Sequence, residues 1–159
     1  MKRVCFLMTV YCFMCVMTVS AQSSSLTSGE LKFRKGIETF LKEEGYFPTI
    51  DAEDNSVNFK KEGYRYWISV RGTSPTYVEI HRAGFGLDDT NRMHLLEACN
   101  KATFETRCAK SYVGQSSVGF TVEVYCQSVE EFRHIFYRSM SALDSVRDKT
   151  KEYYNELDK

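Results

Sequence analysis

From Ser128 to Lys159 the chain contains neither proline nor glycine. Phe132, Phe136, Met140, Leu143, Val146, Tyr153 and Leu157 recur through it at spacings of three, four or seven residues. That period belongs to one face of an α-helix. Ser128-Val129-Glu130-Glu131 supplies a capping box at its start, with the serine as N-cap and Glu131 reaching back. A continuous helix of this length is roughly 48 Å long at about 1.5 Å per residue. It must be the spine of any fold the chain adopts, and it is longer than a small domain needs. Its far end is therefore expected either to fray or to pack on a partner chain.

A second helix signal lies near the other end. Thr27-Ser28-Gly29-Glu30 is a capping box, Phe33, Ile37, Phe40 and Leu41 follow at helical spacing, and Gly45 is placed to stop the helix. Beyond Gly45 the period falls to two. Tyr46 to Ile50 reads as a short extended piece, and Asp51 to Ser56 as a turn. Val57 and Phe59 alternate with polar neighbours, and Lys60-Lys61-Glu62-Gly63 reads as a hairpin turn with a left-handed glycine. Tyr64 to Val70 and Tyr77 to Arg82 read as strands, separated by a loop holding Gly72 and Pro75. Ala83-Gly84-Phe85-Gly86 reads as a connection to a middle helix capped by Asp88 or Asp89, with Met93, Leu96 and Cys99 or Asn100 on its inner stripe. Arg107 to Val113 and Val118 to Cys126 form a second hairpin. The order α-β-β-β-α-β-β-α, with a short extra strand at the start, predicts an α+β fold. Its antiparallel sheet should have about five to six strands, with the helices on one face and the long helix at the C-terminus.

The first 21 residues stand apart. Met1-Lys2-Arg3 is basic, Val4 to Val19 is largely apolar, and Val19-Ser20-Ala21 suits a cleavage site before Gln22. This is the pattern of a secretory signal peptide, and the apolar run is shorter than the about 20 residues of a spanning helix. The expected organisation is a leader over 1–21, a flexible tail over 22–27 and one domain over 28–159, exported to the periplasm or beyond, with no membrane anchor after cleavage. Lys2 and Arg3 leave with the leader, so a chain of zero formal charge becomes slightly acidic. Such a balance gives no global attraction to nucleic acid. Cys99, Cys108 and Cys126 remain. If one bridge forms in an oxidising compartment, Cys99–Cys126 is the expected pair, against three separate thiols.

The strand alternation sorts residues onto two faces. With Tyr66, Ile68, Val70, Val78, Ile80, Phe120, Val122 and Val124 inward, the outer face carries Arg65, Trp67, Ser69, Tyr77, Glu79, His81, Thr121, Glu123 and Tyr125. Aromatics among polar groups suit a contact surface, which makes Trp67, Tyr77 and Tyr125 candidate partner-binding residues. Tyrosines also tolerate a half-exposed strand without any partner. On the terminal helix, Tyr153, Tyr154 and Leu157 are candidates for the contact that its length invites. Glu79 and His81 form the one pair resembling an acid and a base, and no nucleophile is placed beside them. His94 and His134 lack ligand-spaced partners, the cysteine spacings match no zinc pattern, and Gly84 and Gly86 do not make a phosphate loop. No cofactor is expected.

Gly45-Tyr46 closing the first helix, Asn100 on the second, and the strand Gly63-Tyr64-Arg65-Tyr66-Trp67-Ile68 give a resemblance to the YbjN family. It extends to the wider type III secretion chaperone-like fold and covers about Glu30 to Leu157. The resemblance implies a non-enzymatic domain that often dimerises and binds other polypeptides. Secretion chaperones are cytoplasmic and acidic, whereas this chain carries an export signal and is nearly neutral. The expected function is a secreted, non-catalytic, protein-binding or chaperone-like domain. The alternatives are a small extracytoplasmic hydrolase using Glu79 and His81, or a structural envelope protein.

Overall fold

A computed structural model describes residues 25–87 and 92–157. The expected leader, half of the expected tail and the expected caps Asp88 and Asp89 lie outside the described residues. The element order is α1 (Ser28–Glu43), β1 (Thr49–Ile50), β2 (Val57–Lys61), β3 (Tyr64–Arg71), β4 (Thr76–Gly86), α2 (Arg92–Glu105), β5 (Ala109–Val113), β6 (Ser117–Cys126) and α3 (Val129–Leu157). The six strands form one antiparallel sheet in the order β1-β2-β3-β4-β6-β5. The fold is α+β with a long C-terminal helix, as the periodicity predicts.

The first capping box forms in full and the second only in its serine half. Thr27 Oγ1 accepts the Glu30 N–H at 3.3 Å, and Glu30 Oε2 accepts the Thr27 N–H at 2.7 Å. The other Glu30 oxygen accepts the Gly72 N–H at 2.7 Å, tying the β3–β4 loop to the start of α1. At α3, Ser128 Oγ accepts the Glu131 N–H at 3.1 Å, while Glu131 reaches one residue further back, to the Gln127 N–H at 2.6 Å. Gly45 ends α1 with φ 83°, a value that costs glycine little. The β2–β3 turn has two left-handed residues, Glu62 at 52° and Gly63 at 81°. This is the twist that a two-residue hairpin turn requires.

The core lies between the helices and the inner face of the sheet. Phe136 on α3 is fully buried, with ring centroids 5.1 Å from Phe40, 5.7 Å from Phe132 and 6.1 Å from Phe59. Arg82, on the inner face of β4, is only 1% exposed. Asp144 of α3 bonds its guanidinium, which also lies 4.2 Å from the Tyr64 ring centroid. A long cation is tolerated there because charge and ring face replace water.

Four expectations need correction. First, β4 does not end at Arg82: it runs to Gly86 through an irregularity between Ala83 and Gly86. A Cβ at Gly84 would sit 2.1 Å from the Val118 carbonyl oxygen, so glycine marks close strand pairing rather than a loop. Second, Met93 is 74% exposed and Leu96 42%, while Leu95, Ala98, Cys99 and Ala102 are buried. Two alanines let α2 lie close to its neighbours, and the larger apolar residues mis-phase the stripe. Asn100 is likewise exposed.

Third, Cys99, Cys108 and Cys126 are all free. Cys99 Sγ accepts from Ser111 Oγ at 3.0 Å, and Ser111 pairs with Phe120 on β6. Cys126 is six residues further along that strand, roughly 20 Å away at about 3.3 Å per residue. A disulfide needs Cα atoms within about 7 Å. Fourth, the far end of α3 is not stranded. Lys149 bonds Glu105 at 2.7 Å, Lys101 lies 3.7 Å from Glu156, and the Lys101 ammonium sits 3.8 Å from the Tyr153 ring centroid. The end of α3 therefore does not fray but packs in part along α2.

Candidate functional site

The helices cover one face of the sheet and leave the other bare. Strand register sets the bare face in rows. Asn58, Trp67, His81, Thr121 and Lys110 form one row across β2, β3, β4, β6 and β5. Two residues along, Ser69, Glu79 and Glu123 form the next, and Arg71, Tyr77 and Tyr125 the one after. On the other side of the Trp67 row lie Lys60 with Arg65, and Tyr112 with Gly119. The face predicted from alternation is thus assembled as expected, with Trp67, Tyr77 and Tyr125 all on it.

The aromatic residues are organised in pairs. Trp67 and His81 stack with centroids 4.9 Å apart and planes 7° from parallel. Tyr77 and Tyr125 meet at 5.1 Å and 46°. Tyr125 is 67% exposed. Tyr112 lies flat on the next strand, because Gly119 has no Cβ: an added one would fall 2.4 Å from Tyr112 Cζ.

The charges are organised too. Glu79 and Glu123 face each other across β4 and β6, an unfavourable like-charge pair. Lys110 relieves Glu123 by a 2.6 Å bond. That bond, with a further one from the Tyr77 hydroxyl, holds the Glu123 carboxyl below its usual range. Burial and the bond to Glu123 push the Tyr77 phenol up to about 12. Burial lowers the His81 pKa, against the pull of Glu79, Glu123 and Asp54. The ring is therefore held neutral where a free histidine would begin to charge. Among the described residues, neither His81 Nδ1 nor Thr121 Oγ1, both buried, has a hydrogen-bond partner.

Three open hollows line this face. One of 240 Å³ lies among Arg65, Trp67, Tyr112, Ala83 and Gly119. One of 250 Å³ lies among Asp51, Asp54, Asn58, Arg65 and Trp67. One of 470 Å³ lies beside Phe47, Asn58, Lys60 and Arg65. Arg65 is common to all three. Phe47, 92% exposed, and Tyr112 are not among the candidates that the sequence offers. Tyr112 alternates with inward Ala109 and Ser111 on β5, a signal that was available. Phe47 sits in the connection between α1 and β1, inside the stretch read as a short extended piece.

Glu79 and His81 share the face, but among the described residues no hydrogen bond joins them and none is made by His81 Nδ1. Among the described residues no group of three or more His, Cys, Asp or Glu is placed to hold a metal ion. Tyr153, Tyr154 and Leu157 are half-buried on α3, away from this face, and Tyr153 meets Lys101 of α2. The structure does not join them to Trp67.

The sequence matches no family model and no curated protein. Among solved structures, it is similar to the crystal structure of YbjN from E. coli, for which a transcription-regulator role has been suggested. The TM-score is 0.58 at 7% identity, over 74% of this chain and 89% of that one. At such identity the likeness concerns architecture alone. With its helix–strand order and single antiparallel sheet, the chain has a YbjN-like fold.

Proposed function

We propose that this is a non-catalytic domain, exported by its N-terminal leader, that binds polypeptide on the outer face of its sheet. The observation that carries the reading is the bare face itself. Two aromatic pairs and Tyr112 stand among charged groups on the sheet, and Trp67 and Tyr112 line shallow hollows. Interface cores favour tyrosine, tryptophan and arginine in this way. The hollows are open rather than enclosed, and Glu79 with His81 lacks the convergent polar groups of a catalytic pocket. The regulator role suggested for YbjN is not carried over to DNA binding here, because Lys60 and Arg65 are local and the chain as a whole is neutral.

Selection from a random-peptide display library against the immobilised domain tests this. Enriched peptides should lose binding to Trp67→Ala and Tyr125→Ala while still binding a Phe104→Ala control on α2. Equal binding to all three variants would defeat the reading.

A further inference from the structure

The outer face carries two like-charge cross-strand pairs of opposite sign. Lys60 faces Arg65 across β2 and β3, and Glu79 faces Glu123 across β4 and β6. Like charges placed opposite one another cost stability, and neither Lys60 nor Arg65 is ion-paired among the described residues. Lys110 neutralises Glu123, and among the described residues no Lys or Arg pairs with Glu79. Between the two pairs runs the row of Trp67 and His81, stacked on each other. In that row Thr121, only 4% exposed, has a hydroxyl with no partner, as has the neighbouring His81 Nδ1. Buried polar groups left unmet are uncommon and mark a place where a further partner can be met.

The rows are two residues apart along the strands. From the Arg65 row to the Glu79 row is four residues, about 13 Å at roughly 3.3 Å per residue. An extended segment lying along the strands has the same spacing, since its side chains at alternate positions point to one side. We infer that the occupant of this face is an extended polypeptide segment with a basic residue, then an aromatic one two positions on, then an acidic one two positions further, read in either direction. The basic side chain meets Glu79, the aromatic one lies at Trp67 and the adjoining hollow, and the acidic one meets Arg65 and Lys60. Charge complementarity fixes the register of the segment, and the ring contact supplies apolar burial. This inference rests on the polypeptide-binding reading and adds the chemistry of the ligand.

Trp67 is the only tryptophan, so its fluorescence reports the middle of the face. The probe is a short peptide with Lys-Thr-Phe-Thr-Glu at its centre, against a scrambled peptide that places lysine and glutamate side by side. The patterned peptide should bind about tenfold or more tighter than the scrambled one. Glu79→Lys should weaken it by a similar factor, and a peptide with glutamate in place of lysine should recover binding to that variant. Far-UV circular dichroism checks that Glu79→Lys folds, which relief of the Glu79–Glu123 repulsion favours.

Equal binding of the patterned and scrambled peptides, or no effect of Glu79→Lys, overturns the inference. If library peptides still bind at Trp67 without the charge order, the polypeptide-binding reading survives and only the pattern falls. If no peptide changes Trp67 emission, both fall. A concentration-dependent dimer that masks Trp67 would assign the face to a second copy and also overturn the inference.

Discussion

Two glycines on neighbouring strands should respond differently to the same added methyl group. At Gly84 an alanine Cβ would lie 2.1 Å from the Val118 carbonyl oxygen, 2.8 Å from its carbon and 3.0 Å from Phe120 Cε2. The first two are backbone atoms of a paired strand, so relief requires β4 and β6 to part by about 1 Å. Overpacking of this kind costs roughly 1–3 kcal/mol, and each ladder bond weakened near the bulge adds about 1 kcal/mol. Gly84→Ala should therefore lose about 2–4 kcal/mol. At Gly119 the Cβ would lie 2.4, 2.5 and 2.8 Å from Tyr112 Cζ, Oη and Cε2. These atoms end a side chain that is 40% exposed, so the ring can swing out. Replacing glycine in a strand recovers about 0.5–1 kcal/mol of backbone entropy, which offsets the lost ring contact. Gly119→Ala should stay within about 1 kcal/mol of the parent while opening the Trp67–Tyr112 hollow. Urea unfolding followed by Trp67 fluorescence and far-UV circular dichroism measures both. A Gly84→Ala protein as stable as the parent would refute the close approach of β4 to β6. A Gly119→Ala loss above about 2 kcal/mol would refute the mobile Tyr112 ring.

Phe136→Ala removes the ring shared by α1, β2 and α3 and should cost about 3–5 kcal/mol. Trp67→Ala, which loses one ring stack at a half-exposed position, should cost about 1–2 kcal/mol; similar losses would contradict the division into core and outer face. His81 is depressed in the folded state, so the unfolded chain takes its proton first as pH falls. Its contribution is whole above 6.5 and is lost on acidification below that value. His81→Phe, which keeps a ring against Trp67, should flatten the stability–pH curve just below 6.5, and an unchanged slope would exclude His81 as its source. A maleimide should label Cys108 quickly in the folded protein, and Cys99 and Cys126 only on unfolding without reductant, since both are buried and free. Fewer than three labelled thiols would show a bridge. Thr103→Val removes a hydroxyl that accepts the Ser111 N–H at 2.9 Å and donates to its carbonyl at 3.2 Å. Edge strand β5 then loses its cover, at a cost of about 1–2 kcal/mol with aggregation rising with concentration; a variant that stays monomeric at high concentration would contradict that role.

Much of the architecture was legible because the signals were local. Two capping boxes and two apolar stripes located α1 and α3, and Gly63 located the β2–β3 turn. Period-two alternation sorts the faces of β3, β4 and β6, so Trp67, Tyr77 and Tyr125 fall on the bare face by alternation alone. What was not legible depends on contacts between distant segments. Arg82 is inward by alternation, but only Asp144, 62 residues on, explains how it remains there. Gly84 reads as a loop residue until Val118 is seen against it. The inner stripe of α2 is carried by alanines, which pattern reading underweights. Cys99 and Cys126 share the core but stand apart, because Cys99 on α2 lies beside Ser111, level with Phe120, while Cys126 ends β6, and the packing of α2 along the end of α3 joins two distant segments. The hollows needed the register of five strands at once.

The central claim is that polypeptide binds the bare face of the sheet. Acrylamide quenching of Trp67 during titration with a reduced, unfolded polypeptide tests it most directly. The account predicts that Trp67 becomes shielded from acrylamide in step with complex formation, and that Tyr125→Ala weakens both together. A complex that forms with Trp67 quenched as freely as in the isolated domain would contradict it.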